Sequence, residues 1–460
     1  MKTLIVGAGK TGLSMARFLR RDGGCVSAVD TRRRPPCAAA MRELLGDENC
    51  MFGHDFRRWS AEFAKFDYVC ASPGVPPSWL KTARQHTRVK GEVSLLPKPR
   101  AGMPVRVWIT GTNGKSTVTA LVVALCRAAG MTAEPVGNFG VPLLDAWREW
   151  EYSQTAPYDF SPKQYPPAVA VAELSSFQLQ YCGAADIRRG GGSAAAVLNV
   201  SADHLDYHED MREYAAAKMN IYRLADYGVI NLDDPMTARA HAGRNKSRMI
   251  TFSVRQNADW RLRSDYIVGG GMRFRRDQIS PALSVENVLS ALALFSALVK
   301  TKIKPDIRKA LTEAIARFPG LPHRRRVVGR FGGVNYINDS KSTNTAAARF
   351  ALQNTSGKIV LIAGGDGKGQ DFSPLASACQ TVKKAFLLGK DAATVGRALK
   401  TGGVESEIVA DMKTAVVKAT KTARRGDTVL LSPACSSLDM YQDYAARGDD
   451  FAAEVENHAR

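Results

Sequence analysis

WITGTNGKSTVTALVVALCRAAG, residues 108–130, is the stretch whose reading decides the fold. The apolar run VRVWIT (105–110) gives way to a glycine-rich loop, which opens into a helix-periodic stretch of Val, Leu and Ala. Such a loop presents backbone N–H groups at the start of a helix, where the helix dipole favours an anion. Lys115 is placed to reach a terminal phosphate, and Ser116 or Thr117 to hold a magnesium ion through a hydroxyl. The strict G-x-x-x-x-G-K-[ST] spacing is missed, because Ile109 stands at the first glycine position. The physical requirements survive, since Gly111, Thr112, Asn113 and Gly114 still form the cradle. Residues 111–117 therefore read as a triphosphate loop rather than as a bare turn with a solvated lysine.

The same order of apolar run, small-residue turn and helical stretch recurs along the chain. It appears in TLIVGAG (3–9), AVAVAELSS (168–176), AAAVLNVSADH (194–204), KIVLIAGGDGK (358–368) and TVLLSPACSS (428–437). This alternation predicts an α/β protein built on parallel sheets, with ligand groups at the carboxyl ends of the strands. Turn-rich stretches at LLPKPRAGMP (95–104) and FPGLPHR (318–324) mark boundaries. Three domains are expected: Rossmann-like over 1–94, P-loop-type ATPase with a parallel or mixed sheet over 95–321, and Rossmann-like over 322–460. Residues 151–167 and 188–193 read as irregular surface excursions.

Composition narrows the class. The 460 residues are 45% hydrophobic and 23% charged, with no run approaching the ~18 apolar residues of a membrane span. The short apolar start is broken by Gly7 and Gly9, unlike a secretory leader. Eight dispersed cysteines contain no C-x-x-C pair, which argues for free thiols in a reducing cytoplasm. The net charge of +20 suits anionic small substrates; its basic clusters lack the aromatic interleaving of a nucleic-acid groove. No nucleic-acid partner and no membrane insertion are expected, and the chain is expected to be a monomer.

Further chemistry-bearing residues lie at strand ends. GAGKTG (7–12) follows the first strand, with Asp30 closing the next apolar run, so the turn suits a dinucleotide or the diphosphate of a UDP-sugar. Glu173 and His204 follow strands beside the phosphate loop, where one carboxylate with phosphate oxygens makes a plausible magnesium shell. His204 and His208 are spaced i, i+4, which suits zinc only on a shared helix face, and there is no third ligand. Lys218, in EYAAAKMN, reads as a solvated helix lysine. NDSKSTN (338–344) reads as an N-cap, Asp339 or Ser340 capping a helix from Thr343, or as a charged-ligand loop. GGDGKGQDF (364–372) reads as an anion-binding turn led by Lys368, and no nucleophile elbow surrounds Ser432 or Ser437.

Taken in order, GTNGKST, ELSSFQL, NVSADHLDYH, AAAK, LPHR, NDSKSTN, GGDGKG and LSPACSSLDMY resemble the motifs of the muramyl ligases over the whole length. VGAGKTGLS, DTR at 30–32, ASPGVP (71–76) and GNFG (137–140) look most like the branch that adds D-glutamate. The resemblance implies ATP and Mg2+ as cofactors, with two metal sites. It implies D-glutamate and UDP-N-acetylmuramoyl-L-alanine as substrates, joined through an acyl phosphate. It implies that Gly111 to Thr117 hold ATP phosphates, with Lys115 catalytic, and that Asn287, Arg324 and Asp339 hold the nucleoside. Ser116, Glu173 and His204 would serve the metals, with Lys218 matching a family lysine carboxylated by carbon dioxide. Asp30, Thr31, Arg32, Gly74 and Asn138 would contact the UDP-sugar. Lys341, Thr343, Lys368, Ser437 and Leu438 would position D-glutamate.

Some positions depart from the family pattern. Glu286 and Ser290 flank Asn287 where His and Asn are usual, Arg326 replaces an acidic or amide residue, and Asp443 with Tyr444 replaces Asn-Phe. These departures leave open a related muramyl or folylpolyglutamate-type ligase, or a non-catalytic nucleotide-binding relative. The first glycine turn alone would also fit an NAD oxidoreductase.

Overall fold

The computed structural model of the chain describes residues 1–21, 23–59, 61–97, 101–155, 167–182, 192–205, 207–242, 248–300 and 303–459. Among these residues the strands form three sheets, of five, nine and six strands. Two compact units contain them: residues 1–200 with 207–318, and residues 201–206 with 319–460.

The first sheet joins β1 (Lys2–Val6), β2 (Cys25–Asp30), β3 (Cys50–Phe52), β4 (Tyr68–Ala71) and β5 (Arg88–Lys90) in the order 3-2-1-4-5. All four pairings are parallel. Leu4, Ile5 and Val6 are wholly buried, as expected of a strand covered on both faces. The helix Lys10–Arg20 follows the glycine turn. A Cβ at Gly12 would lie 2.0 Å from the Gly7 carbonyl oxygen, so only glycine lets the helix pack so closely on the strand end.

The second sheet holds β6 (Val105–Thr110), β7 (Ala133–Gly137), β8 (Val169–Glu173), β9 (Gly192–Val197), β10 (Ala225–Asn231), β11 (Met249–Ser253), β12 (Trp260–Arg263), β13 (Tyr266–Gly269) and β14 (Met272–Arg275). Its order is 14-13-12-11-10-9-6-8-7, and only the β12–β13–β14 edge is antiparallel. Strand β6 lies between β8 and β9, a switch point where open sheets of this type bind ligands. The helices Lys115–Ala128 and Val285–Val299 share one apolar core over this sheet.

The third sheet joins β15 (Arg326–Phe331), β16 (Val334–Asn338), β17 (Ile359–Gly364), β18 (Val382–Leu388), β19 (Ser406–Ile408) and β20 (Thr428–Leu431) in the order 15-16-20-17-18-19. Only the β15–β16 pair is antiparallel. The expected α/β architecture of three parallel or mixed sheets is therefore present.

Several local expectations are corrected. Glu151–Thr155 end the helix Leu143–Thr155, and Gly192–Ser193 begin β9, because pairing with β6 and β10 overrides the glycine-rich composition. The remainder of those two excursions, 156–166 and 188–191, lies outside the described residues. The helix after NDSKSTN is Thr345–Gln353, capped by Asn344, whose side chain accepts from the Ala347 N–H at 2.8 Å. Asp339 and Ser340 lie upstream of this cap, held in the loop that follows β16. The described residues of 201–210 include no helix, so His204 and His208 share no helix face. Among the described residues no disulfide joins any of the eight cysteines. No helix among the described residues is long and apolar enough to cross a membrane.

Candidate active site

Beyond β6 the loop is clipped to the segment that follows β9. Thr112 N–H donates to the Asn199 carbonyl at 2.9 Å, and Asn113 N–H to Asn199 Oδ1 at 2.8 Å. Asn199 Nδ2 returns a bond to the Asn113 carbonyl at 3.2 Å. Gly114 caps the helix at φ +83°, and a Cβ there would lie 2.8 Å from Asn287 Oδ1, so the start of the helix Val285–Val299 abuts the loop. Predicted residues from distant parts of the chain thus meet here.

Two ammonium groups converge on one carbonyl. Lys115 Nζ donates to the Gly111 and Thr112 carbonyls, both at 2.8 Å, and Lys218 Nζ donates to the Gly111 carbonyl at 2.9 Å. Lys218 is buried at 2% exposure on the helix Met211–Met219, with its Nζ 4.5 Å from the centre of the Tyr214 ring. The expectation of a solvated lysine is overturned: the helix turns this position inward, where AAAK leaves room beside the loop. Tyr214, which the sequence reading did not single out, shares a 3.0 Å hydrogen bond with Thr112 Oγ1.

Glu173 ends β8, beside β6, and is buried. Its Oε1 accepts from Asn138 Nδ2 at 2.7 Å, while its buried Oε2 has no hydrogen-bond partner among the described residues. A buried carboxylate oxygen left this way is suited to a cation. Among the described residues no group of three His, Cys, Asp or Glu side chains is assembled. Magnesium takes few protein ligands and completes its shell with phosphate and water oxygens, which suits a single carboxylate beside a phosphate loop.

At the first glycine turn, the carboxylate of Asp30 accepts from Ala8 N–H at 2.8 Å and from Arg32 Nη2 at 2.7 Å. Burial pushes its pKa up, but the bonds from Arg32 and Ala8 outweigh this and hold it below the usual range. The carboxylate thus fixes the turn and the Arg32 guanidinium together.

The C-terminal unit gathers its own polar centre. Asp339 is buried, accepts from Ser432 Oγ at 3.1 Å and Arg325 N–H at 3.1 Å, and is pushed up to about 7 chiefly by desolvation. Lys341 N–H donates to the His323 carbonyl, and Lys341 Nζ lies 3.7 Å from the centre of the Tyr444 ring. Lys368 adopts φ +51° in its turn, and that turn pairs with the next motif through Asp366 and Ser436. Ser437 is buried and Leu438 exposed. His204 falls with this unit, its ring 42% exposed and its Nε2 3.7 Å from Asp203 Oδ2.

Arg447 was missed from sequence and is the hub of these loops. Buried at 1% exposure, it donates to Ser340 Oγ at 3.0 Å, the Ser340 carbonyl at 2.8 Å and the Cys435 carbonyl at 3.1 Å. Burial lowers its pKa to about 10 and raises the Cys435 thiol to about 12, which removes Cys435 as a thiolate at neutral pH. A signal existed in the sequence. Gly448 stands inside the helix Tyr444–His458, beside Arg447, and a Cβ there would lie 2.2 Å from His323 Nδ1.

A phosphate-type loop at the switch point of the mixed nine-stranded sheet, with α/β units before and after it in the chain, is the plan of a nucleotide-dependent ligase. The chain belongs to the Mur ligase family: the Mur ligase middle domain matches residues 109–294, the Mur ligase, glutamate ligase domain residues 323–435, and the Mur ligase MurD-like, N-terminal domain residues 1–89. It is 38% identical over 483 residues to UDP-N-acetylmuramoylalanine--D-glutamate ligase of Thiobacillus denitrificans, covering 100% of this chain and 96% of that protein. In fold it is similar to UDP-N-acetylmuramate-alanine ligase MurC from Thermotoga maritima, with a TM-score of 0.55, 18% identity and 99% of both chains covered. It is also similar to a bifunctional folylpolyglutamate synthase/dihydrofolate synthase from Yersinia pestis complexed with AMPPNP and Mn ion. There the TM-score is 0.53 at 16% identity, over 77% of this chain and 89% of that one.

Proposed function

We propose that the chain is the ATP-dependent ligase that joins the amine of D-glutamate to the L-alanine carboxylate of UDP-N-acetylmuramoyl-L-alanine, in peptidoglycan precursor synthesis. The observation that carries this reading is the meeting of Lys115 and Lys218 on the Gly111 carbonyl, at the same sheet end as the buried Glu173, one of whose oxygens has no hydrogen-bond partner among the described residues. Full-length likeness to the Thiobacillus protein supports the choice of substrates.

A carboxylate is a poor electrophile, so its oxygen first attacks the γ-phosphorus of ATP and ADP leaves. The resulting acyl phosphate is attacked by the D-glutamate amine, which loses a proton, and the tetrahedral intermediate expels phosphate. In this reading Gly111 to Thr117 line the phosphates while the Thr112 and Asn113 N–H groups stay bonded to Asn199, and Lys115 neutralises charge as the γ-phosphoryl group transfers. Glu173 and Ser116 would hold a magnesium ion, which supplies charge neutralisation on the phosphate oxygens. Lys218, as a neutral amine, would take up carbon dioxide to give a carbamate and a proton, exchanging a cation for an anion that serves a second metal with His204.

Asn287, Arg324 and Asp339 are assigned to the nucleoside, and Asp30, Thr31, Arg32, Gly74 and Asn138 to the UDP-sugar. Lys341, Thr343, Lys368, Ser437 and Leu438 are assigned to D-glutamate. Segments 1–94, 95–321 and 322–460 then serve the sugar nucleotide, ATP and the amino acid in turn, in a monomeric cytoplasmic enzyme. The test is phosphate release with ATP, Mg2+ and UDP-N-acetylmuramoyl-L-alanine across D-glutamate, L-glutamate, L-alanine and diaminopimelate. Release stimulated by D-glutamate is expected; preference for another amino acid overturns the substrate assignment.

A further inference from the structure

An unbroken line of packed aromatic rings runs from the SPGV turn (72–75) to the phosphate loop. Ser72 Oγ donates to the Gly7 carbonyl at 2.7 Å and Val75 N–H closes onto the Ser72 carbonyl at 3.0 Å, so the turn is tied to the first glycine loop. The Tyr207 hydroxyl lies 2.8 Å from the Pro73 carbonyl and 2.6 Å from the Val75 carbonyl, while the Tyr181 hydroxyl donates to Val75 at 2.6 Å. The Tyr207 ring packs on Phe177 with centroids 4.0 Å apart and meets His208 at 5.1 Å. His208, buried, bonds Ser176 Oγ through Nε2 at 3.0 Å and meets the Tyr214 ring at 5.2 Å. The Tyr214 hydroxyl then reaches Thr112 Oγ1 at 3.0 Å, in the phosphate loop.

The Tyr207 hydroxyl links the two carbonyls of the turn. This hydroxyl accepts from Gln180 Nε2 and has a single proton to share between the Pro73 and Val75 carbonyls. Burial pushes the Tyr207 hydroxyl up to about 12, which keeps that proton on the oxygen at neutral pH. Gly74, between the two carbonyls, has open space on its Cβ side, where a ligand can approach the turn that Tyr207 holds.

We propose that Tyr207, through His208 and Tyr214, is a positioning residue that couples sugar-nucleotide binding at the 72–75 turn to triphosphate binding at 111–117. The proposal rests on the function proposed above. Coupling is reciprocal: each ligand tightens the other by the same factor.

Calorimetric titration of the full chain with a non-hydrolysable ATP analogue and with UDP-N-acetylmuramoyl-L-alanine, each alone and with the other saturating, tests it. Mutual tightening of about fivefold or more is expected. Tyr207→Phe should weaken the sugar nucleotide alone by about fivefold, leave the ATP analogue alone unchanged, and bring the mutual factor close to one. Tyr214→Phe, at the other end, should also remove the mutual factor while leaving the sugar nucleotide alone unchanged. Wild-type coupling in both variants overturns the relay, as does equal weakening of both ligands together with a lowered melting temperature, which marks damage to the fold. Absence of sugar-nucleotide binding to the unaltered chain overturns the functional reading and the relay with it.

Discussion

Lys115 and Lys218 show how far a residue's name is from its role. Lys115 is legible from its position at the start of a helix after glycines, because helix N-termini attract anions whatever surrounds them. Replacing it with Ala removes a preorganised charge worth on the order of 3 kcal/mol of barrier, so turnover should fall at least about a hundredfold. Steady-state phosphate release checks this, and unchanged turnover would refute the assigned role. The role of Lys218 is not legible in the sequence, since its burial depends on a loop 107 positions away. Asp339 makes a pH prediction. Its carboxyl is raised from 3.8 to about 7 by burial, so the folded state keeps a proton that the unfolded chain releases near 4. The stability it contributes is complete below its unfolded pKa and is lost as pH rises toward 7. Asp339→Asn should therefore show a shallower decline of stability between about pH 4 and 7 than the parent chain. Matching slopes in urea unfolding at several pH values would contradict the buried, protonated carboxyl.

At the level of elements, strands were easier to read than helix ends. β6, β8, β9, β17 and β20 stand where apolar runs predicted them, because strands covered on both faces need continuous Val, Ile, Leu and Ala. Helix starts were misjudged after NDSKSTN because Asp339, Ser340 and Asn344 are all good caps, and only the tertiary bonds of the first two leave Asn344 to cap. The final helix, Tyr444–His458, anchors two loops through Arg447. Arg447→Ala would leave Ser340 Oγ and the carbonyls of Ser340 and Cys435 without their buried donor, a cost of about 3 kcal/mol in unfolding free energy. A loss below about 1 kcal/mol in urea titration would mean that these oxygens find other partners.

For the whole molecule, ligand binding to the folded state gives a thermal readout by mass action. An ATP analogue at about a hundred times its dissociation constant should stabilise the folded chain by about 2.7 kcal/mol, raising its melting temperature, and Lys115→Ala should shrink that rise. No rise in the parent chain would show that residues 111–117 do not hold a nucleotide. The α/β class, the strand order of motifs and the phosphate loop were set by the sequence alone, since each follows from local periodicity and a few residues in a row. The tertiary structure alone decided that Lys218 is buried on Gly111, that Tyr207 and Tyr214 stand at the two ends of one aromatic line, and that Arg447 ties two loops together. Local pattern records which face of an element is apolar; it does not record which polar group, a hundred residues away, that face will meet.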